Sequence, residues 1–170
     1  MSVEIYSDGS SRGNPGPGGY GTILTYTTPS GKTFTRELSQ GYRKTTNNRM
    51  ELMGVIVGLE TLTRPCIVQV HSDSQYVVNA FQKHWVEGWI RKGWVTATRK
   101  PVKNKDLWLR LLQSMEGHEV SFSWVKGHAG HPMNERADQL ATAAADDLEH
   151  LLEDNGFEGL TGLLVNQRDK

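Results

Sequence analysis

The stretch ELMGVIVGLETLTRPCIVQVHSD, residues 51–73, decides the fold. With Met50 just ahead of it, the apolar residues Leu52, Met53, Val55, Ile56, Leu59 and Leu62 recur at helical spacing, so residues 45–63 read as a helix with a wide apolar face. Pro65 interrupts that pattern. Ile67-Val68-Gln69-Val70-His71 then reads as a strand leading into Ser72-Asp73-Ser74. A helix returning directly into a buried strand signals an α/β arrangement.

Outward from this stretch, Val3-Glu4-Ile5-Tyr6 alternates as a strand that ends near Asp8. Residues 12–19 form a Gly/Pro turn region, and residues 20–27 and 32–38 are strands joined by Pro29-Ser30-Gly31. Beyond Asp73, short helical patterns cover residues 77–81 and 85–90, followed by an irregular basic segment, 93–103. Residues 105–115 make a further helix, 119–125 a fifth strand, 127–132 a loop, and 133 to about 152 a long Ala/Leu helix. Three hairpin-linked strands followed by alternating strands and helices predict an α/β fold, a five-stranded mixed sheet flanked by helices. The expected division is a folded domain over residues 1–148 and an acidic C-terminal tail over 149–170. That tail is read as disordered or as docked through Leu160, Leu163, Leu164 and Val165.

The 170 residues are 36% hydrophobic and 22% charged, an ordinary folded profile. No basic stretch precedes an apolar one at Met1, and the longest apolar run, residues 52–59, falls far short of the roughly 20 residues of a bilayer span. Cys66 is the single cysteine, which excludes a disulfide framework and a CxxC metal site. A cytoplasmic location is expected. Net charge is zero but unevenly spread: residues 81–105 hold seven basic side chains against Glu87 alone. A local basic surface of this kind attracts phosphates even on a neutral chain, although a solvated face has the same composition.

Three acids stand where strand or helix ends aim them into a crevice: Asp8, Glu51 and Asp73, with Asp138 near the start of the last helix as a fourth. Each also has a plainer reading. Asp8 fits a turn, Glu51 closes a capping box begun at Asn48, Asp73 caps the following helix, and Asp138 is a solvated helix residue. Converging carboxylates call for divalent cations, and oxygen ligands without Cys or paired His favour Mg²⁺ or Mn²⁺ over Zn²⁺. Two such ions about 3.5–4 Å apart can activate a water and stabilise a leaving oxygen in phosphodiester hydrolysis.

The words around the acids decide among these readings. They are Asp8-Gly9-Ser10 with Gly13-Asn14-Pro15-Gly16, Thr46-Asn47-Asn48-Arg49-Met50-Glu51-Leu52, Ser72-Asp73-Ser74-Gln75-Tyr76, and Trp124-Val125-Lys126-Gly127-His128-Ala129-Gly130-His131 leading to Asn134-Glu135-Arg136-Ala137-Asp138. In this order and spacing they closely resemble the ribonuclease H family, the single-domain bacterial type 1 enzymes, over residues 3–145. The resemblance implies the ribonuclease H fold and an Asp8–Glu51–Asp73–Asp138 metal site taking two Mg²⁺ ions, with Mn²⁺ as substitute. It also implies endonucleolytic hydrolysis of the RNA strand of an RNA–DNA hybrid, leaving 5′-phosphate and 3′-hydroxyl ends.

Further roles follow from the same resemblance. His128 matches an accessory histidine of proton transfer or product release. Asn14, Asn48 and Gln75 match residues facing the minor groove of the hybrid, where amides can both donate and accept. Thr46 and Asn47 match a phosphate pocket for the DNA strand, a role that coexists with helix capping. Residues 85–105 resemble a basic protrusion that grips the DNA backbone through Arg91, Lys92, Arg99 and Lys100. Trp85 is read as a packing residue and His131 as the residue opening the last helix. The pattern Gly16-Pro17-Gly18-Gly19-Tyr20-Gly21 fits G-x-G-x-x-G, but a strand rather than a helix follows it. These glycines are read instead as a tight connection and a close backbone approach to nucleic acid. The expected molecule is a monomer acting on hybrids without strong sequence preference.

Overall fold

The structure, a computed structural model, describes residues 1–127 and 130–157. Its elements are β1 (Ser2–Ser11), β2 (Gly16–Thr27), β3 (Thr33–Thr45), α1 (Asn47–Glu60), β4 (Ile67–Ser72), α2 (Gln75–Gln82), α3 (Trp85–Arg91), α4 (Lys105–Met115), β5 (Glu119–Trp124) and α5 (Pro132–Asp146), then a 3₁₀ turn at Leu148–His150. The five strands form one mixed sheet in the order β3-β2-β1-β4-β5. The first three are antiparallel neighbours, whereas β4 and β5 run parallel to β1. This is the architecture expected from the sequence.

The two faces of the sheet differ in how their helices are seated. On one face α1 buries Met50, Leu52, Met53, Val55, Ile56 and Leu59 against Ile5, Val68 and Val70, and α4 adds Trp108 and Leu111. On the other face the buried residues of α5 are Asn134 near its start and then the small Ala137, Ala141 and Ala145. It approaches the sheet so closely that a Cβ on Gly21 would lie 2.2 Å from the Ala137 carbonyl, and one on Gly41 2.1 Å from that of Ala144. In β2, Gly19 and Gly21 therefore serve backbone packing against α5, whereas a Cβ on Gly16 would meet the Arg12 carbonyl, as a tight connection requires, and one on Gly18 the Ser10 carbonyl and the Thr45 side chain. Gly16, Gly18 and Gly19 belong to β2 rather than to the turn region expected over residues 12–19.

Three other expectations change. Strand β3 runs on to Thr45 instead of stopping at Leu38, held over its length by pairing with β2. Helix α5 stops at Asp146, and the chain beyond it turns back along β3, with Leu152 N–H donating to the Gly41 carbonyl and Arg43 N–H to that of Leu152. The acidic stretch 149–157 is thus docked on the body, with Leu151 and Asp154 buried; Leu160, Leu163, Leu164 and Val165 lie outside the described residues. Finally, Trp85 is 39% exposed. Packing falls to Trp89, whose ring meets Trp94 and Trp108 at centroid distances of 6.0 and 5.3 Å.

Candidate active site

The sheet register sets the first pair of acids side by side. In the parallel pairing of β1 with β4, Ser7 stands opposite Ser72, so the next residues, Asp8 within β1 and Asp73 just past the end of β4, stand at the same level of the sheet. Gly9 then lets α1 come down on the end of β1: a Cβ there would lie 2.5 Å from the Glu51 backbone nitrogen. One carboxylate oxygen from each of Asp8, Glu51 and Asp73 lies within 4.8 Å of the others. Asp138, on the second turn of α5, reaches the same place from the opposite face of the sheet and hydrogen-bonds the Asp8 carboxyl.

Local structure removes the plainer readings of these acids. Asp8 lies inside β1 opposite Gly21, not in a turn. The N-cap of α1 is Thr46, whose hydroxyl accepts from Arg49 N–H at 3.3 Å, so Glu51 lies two positions past the capping-box place. Ser74, not Asp73, caps α2 by accepting from Val77 N–H. None of the three is needed where it stands for the termination of an element.

Their electrostatic state is costly. Burial, then the charges of Asp73 and Asp138, raise the Asp8 pKa to about 8 against the pull of its own bond from Gly9 N–H. Glu51 is raised well above the ordinary glutamate value by burial and by Asp8 and Asp73, with the Gly9 backbone and the Asn47 amide acting the other way. Glu51 Oε1 is buried and has no hydrogen-bond partner. A buried carboxylate oxygen left bare beside two other carboxylates, a cluster of oxygen ligands among the described residues, fits a hard divalent cation.

Around this centre the remaining candidates divide. Asn14 and the start of α1 are joined, Asn47 N–H donating to Asn14 Oδ1 at 3.1 Å, so residues 14 and 46–48 form one surface. Gln75 opens α2 as an exposed residue directly after Ser74. Arg91, Lys92, Arg99 and Lys100 are exposed at the end of α3 and in the segment that follows, where Thr96 N–H bonds the Lys100 carbonyl. His131 opens α5, its Nδ1 accepting from Asn134 N–H, as expected of that position. His128 lies outside the described residues.

Sequence reasoning missed a buried cationic centre two residues from Glu51. Arg49 is fully buried and makes bidentate contacts to Asp154 (2.7 and 2.9 Å) and to Asp106 (2.9 and 2.7 Å). Thr45 Oγ1 donates to the same Asp154. The one signal available was Arg49 itself, a charged residue on the apolar side of a helix.

Known proteins agree with this geometry. The RNase H family model matches residues 1–146. The Ribonuclease H of Lachnoclostridium phytofermentans is 62% identical over 159 residues, 93% of this chain and 100% of that protein. The Ribonuclease H of Cronobacter sakazakii is 55% identical over 156 residues, 92% and 94% of the two chains. Among solved structures, LC9-RNase H1, a type 1 RNase H with the type 2 active-site motif, superposes with a TM-score of 0.77 at 35% identity, covering 94% of this chain and 80% of that one. LC11-RNase H1 in complex with an RNA/DNA hybrid gives 0.60 at 26% identity, over 86% and 99%. Among the described residues no helix is long and apolar enough to cross a membrane. The chain belongs to the ribonuclease H family, as an enzyme of the HI-like type.

Proposed function

We propose that this protein hydrolyses the RNA strand of RNA–DNA hybrids at Asp8, Glu51, Asp73 and Asp138, as a cytoplasmic monomer, leaving 5′-phosphate and 3′-hydroxyl ends. The observation that carries the reading is the acidic trio, with Asp8 and Glu51 buried, and its unpartnered Glu51 oxygen. Two Mg²⁺ ions, or Mn²⁺ in their place, held by these carboxylates would supply the charge to activate water and to stabilise the leaving 3′ oxygen. A hybrid-bound relative, LC11-RNase H1, supports the choice of substrate.

The protein's own groups then do the positioning. Asn14, Asn48 and Gln75 offer amides to base edges and 2′-hydroxyls, which demands a ribose strand without demanding a sequence. Thr46 and Asn47, at the N-terminus of α1, receive a phosphate of the DNA strand. Arg91, Lys92, Arg99 and Lys100 hold the backbone farther along the duplex. His128 assists proton transfer or product release, a role suited to a group titrating near neutral pH.

The test is incubation of labelled RNA–DNA, RNA–RNA and DNA–DNA duplexes with and without Mg²⁺. Cleavage confined to the RNA of the hybrid, and stopped by EDTA, is the expected result. Equal cutting of the RNA duplex would defeat the substrate assignment, and cutting of the DNA duplex would point to a different nuclease on the same fold.

A further inference from the structure

Directly behind the acids the sheet carries a set of rings. Tyr6 precedes Asp8 by two residues in β1 and so shares its face of the strand. In the parallel pairing Tyr6 stands beside His71 of β4, and the two rings stack at a centroid distance of 4.6 Å and an interplanar angle of 13°. Glu4 holds Nε2 of that imidazole. The same Tyr6 ring meets His131, the N-cap of α5, at 5.4 Å. His131 therefore has two tasks. Its Nδ1 accepts from Asn134 N–H, and its ring rests on β1 through Tyr6. Seven residues farther, two turns along the same side of α5, stands Asp138, hydrogen-bonded to Asp8. The body of α5 lies on β2 through alanines against glycines, smooth surfaces that fix its distance from the sheet but resist its rotation weakly. The ring contact adds a fixed point at the helix start, on the strand that bears Asp8.

We propose that Tyr6 is a positioning residue: by holding the His131 end of α5 against β1, its ring sets the Asp138 carboxylate on Asp8. This rests on the catalytic role given above to Asp138. Tyr6 acts through that carboxylate and not on the substrate, so its contribution belongs to turnover and metal binding. The amides of Asn14, Asn48 and Gln75 are held by other elements and keep their places without it. Groups that orient a ligating side chain commonly contribute about 10- to 100-fold to metal affinity or activity. A shift of about 1 Å in a reacting group has an effect of the same size.

The test uses the full chain with Tyr6→Ala, Tyr6→Phe, His131→Asn and the double variant Tyr6→Ala/His131→Asn. Asparagine keeps an acceptor at the N-cap and removes the ring, so His131→Asn separates capping from ring contact. Tyr6→Ala and His131→Asn should each lower kcat for hybrid cleavage by roughly tenfold or more and leave KM within about twofold. Mn²⁺ titrated calorimetrically without substrate should bind both roughly tenfold more weakly than the parent. The double variant should be no worse than the poorer single one, since both remove one contact. Tyr6→Phe should match the parent, and His131→Asn should melt as the parent does. A parent-like kcat in His131→Asn, a Tyr6→Phe as impaired as Tyr6→Ala, or losses that multiply in the double variant overturns the proposal. So does a melting temperature that falls in step with kcat, which would leave the rings a packing feature. If the parent cleaves no hybrid, or Asp138→Asn cleaves like the parent, the underlying reading has failed and this proposal falls with it. If Asp138→Asn is inactive while Tyr6→Ala is unimpaired, only this proposal fails.

Discussion

Arg49 and Glu51 stand two residues apart in α1, both buried, and each is surrounded by carboxylates. For Arg49, flanked by Asp154 and Asp106, that setting is satisfied. For Glu51, flanked by Asp8 and Asp73, it is repulsive until a cation arrives. The same stretch of helix is therefore locked at one position and electrostatically loaded two residues on, and substitutions around each position should behave oppositely.

Asp8→Asn should abolish cleavage and raise the melting temperature of the metal-free protein. The folded pKa of Asp8, about 8, lies above its unfolded value, so ionising it costs stability progressively as pH rises from about 4 towards 8. Below pH 4 both states hold the proton and the variant gains nothing. At pH 8 the gain should be on the order of 2–3 kcal/mol, roughly 5–10 °C. Mg²⁺ stabilises the parent and narrows the gap. Scanning calorimetry across pH, with and without Mg²⁺, checks this; a variant that melts lower at pH 8 without metal would make Asp8 a structural residue.

Asp154→Ala should destabilise the protein by about 2–4 kcal/mol in urea titration, because it strips Arg49 of its fully buried partner while Asp106 remains. The partner Asp106 is 44% exposed along its side chain, so Asp106→Ala should cost clearly less. Equal losses would mean that burial does not distinguish the two pairs.

Replacing Arg91, Lys92, Arg99 and Lys100 together with alanine should raise KM far more than it lowers kcat, since phosphate contacts far from the acids bind ground and transition states alike. The dependence of log Kd on log salt should flatten by about 0.7–0.9 for each phosphate that is no longer neutralised. An unaltered slope would identify this segment as a solvated face.

Two glycine substitutions should move in opposite directions. Gly21→Ala forces a Cβ to within 2.2 Å of the Ala137 carbonyl, so α5 must shift and carry Asp138 with it. A stability loss of about 3 kcal/mol or more, together with loss of activity, is expected. At Gly88, in the middle of α3, a Cβ meets nothing within 4 Å. Gly88→Ala should therefore stabilise by about 0.5–1 kcal/mol at unchanged activity. Activity that survives Gly21→Ala would detach Asp138 from the reaction.

The legible parts were those governed by local pattern. Helical periodicity identified α1, and the apolar run at residues 67–71 identified β4, because both depend on neighbours in sequence. The acids were found through the words that surround them. What stayed hidden depends on partners far along the chain. Gly19 and Gly21 of β2 are explained only by the alanines of α5, and β3 outlasts its own apolar pattern because β2 pairs with it to the end. Arg49 is intelligible only with Asp154, 105 residues away. Trp85 and Trp89 have the same spacing signal, and only the position of Trp108 decides which one packs.

The return of the chain along β3 also bears on self-association. Strand β3 is the outer strand of the sheet, and such a strand offers unpaired amides and carbonyls to any other extended chain. Leu152 occupies that edge at Gly41 and Arg43, closing the half of it nearest the start of α1. The other half, around Arg36 and Glu37, is guarded by charge, Glu37 being held by Arg136 of α5. A chain ending at Asp146 would keep every element of the family match and yet expose a strand edge at Gly41–Arg43, where a second molecule could add a strand of its own.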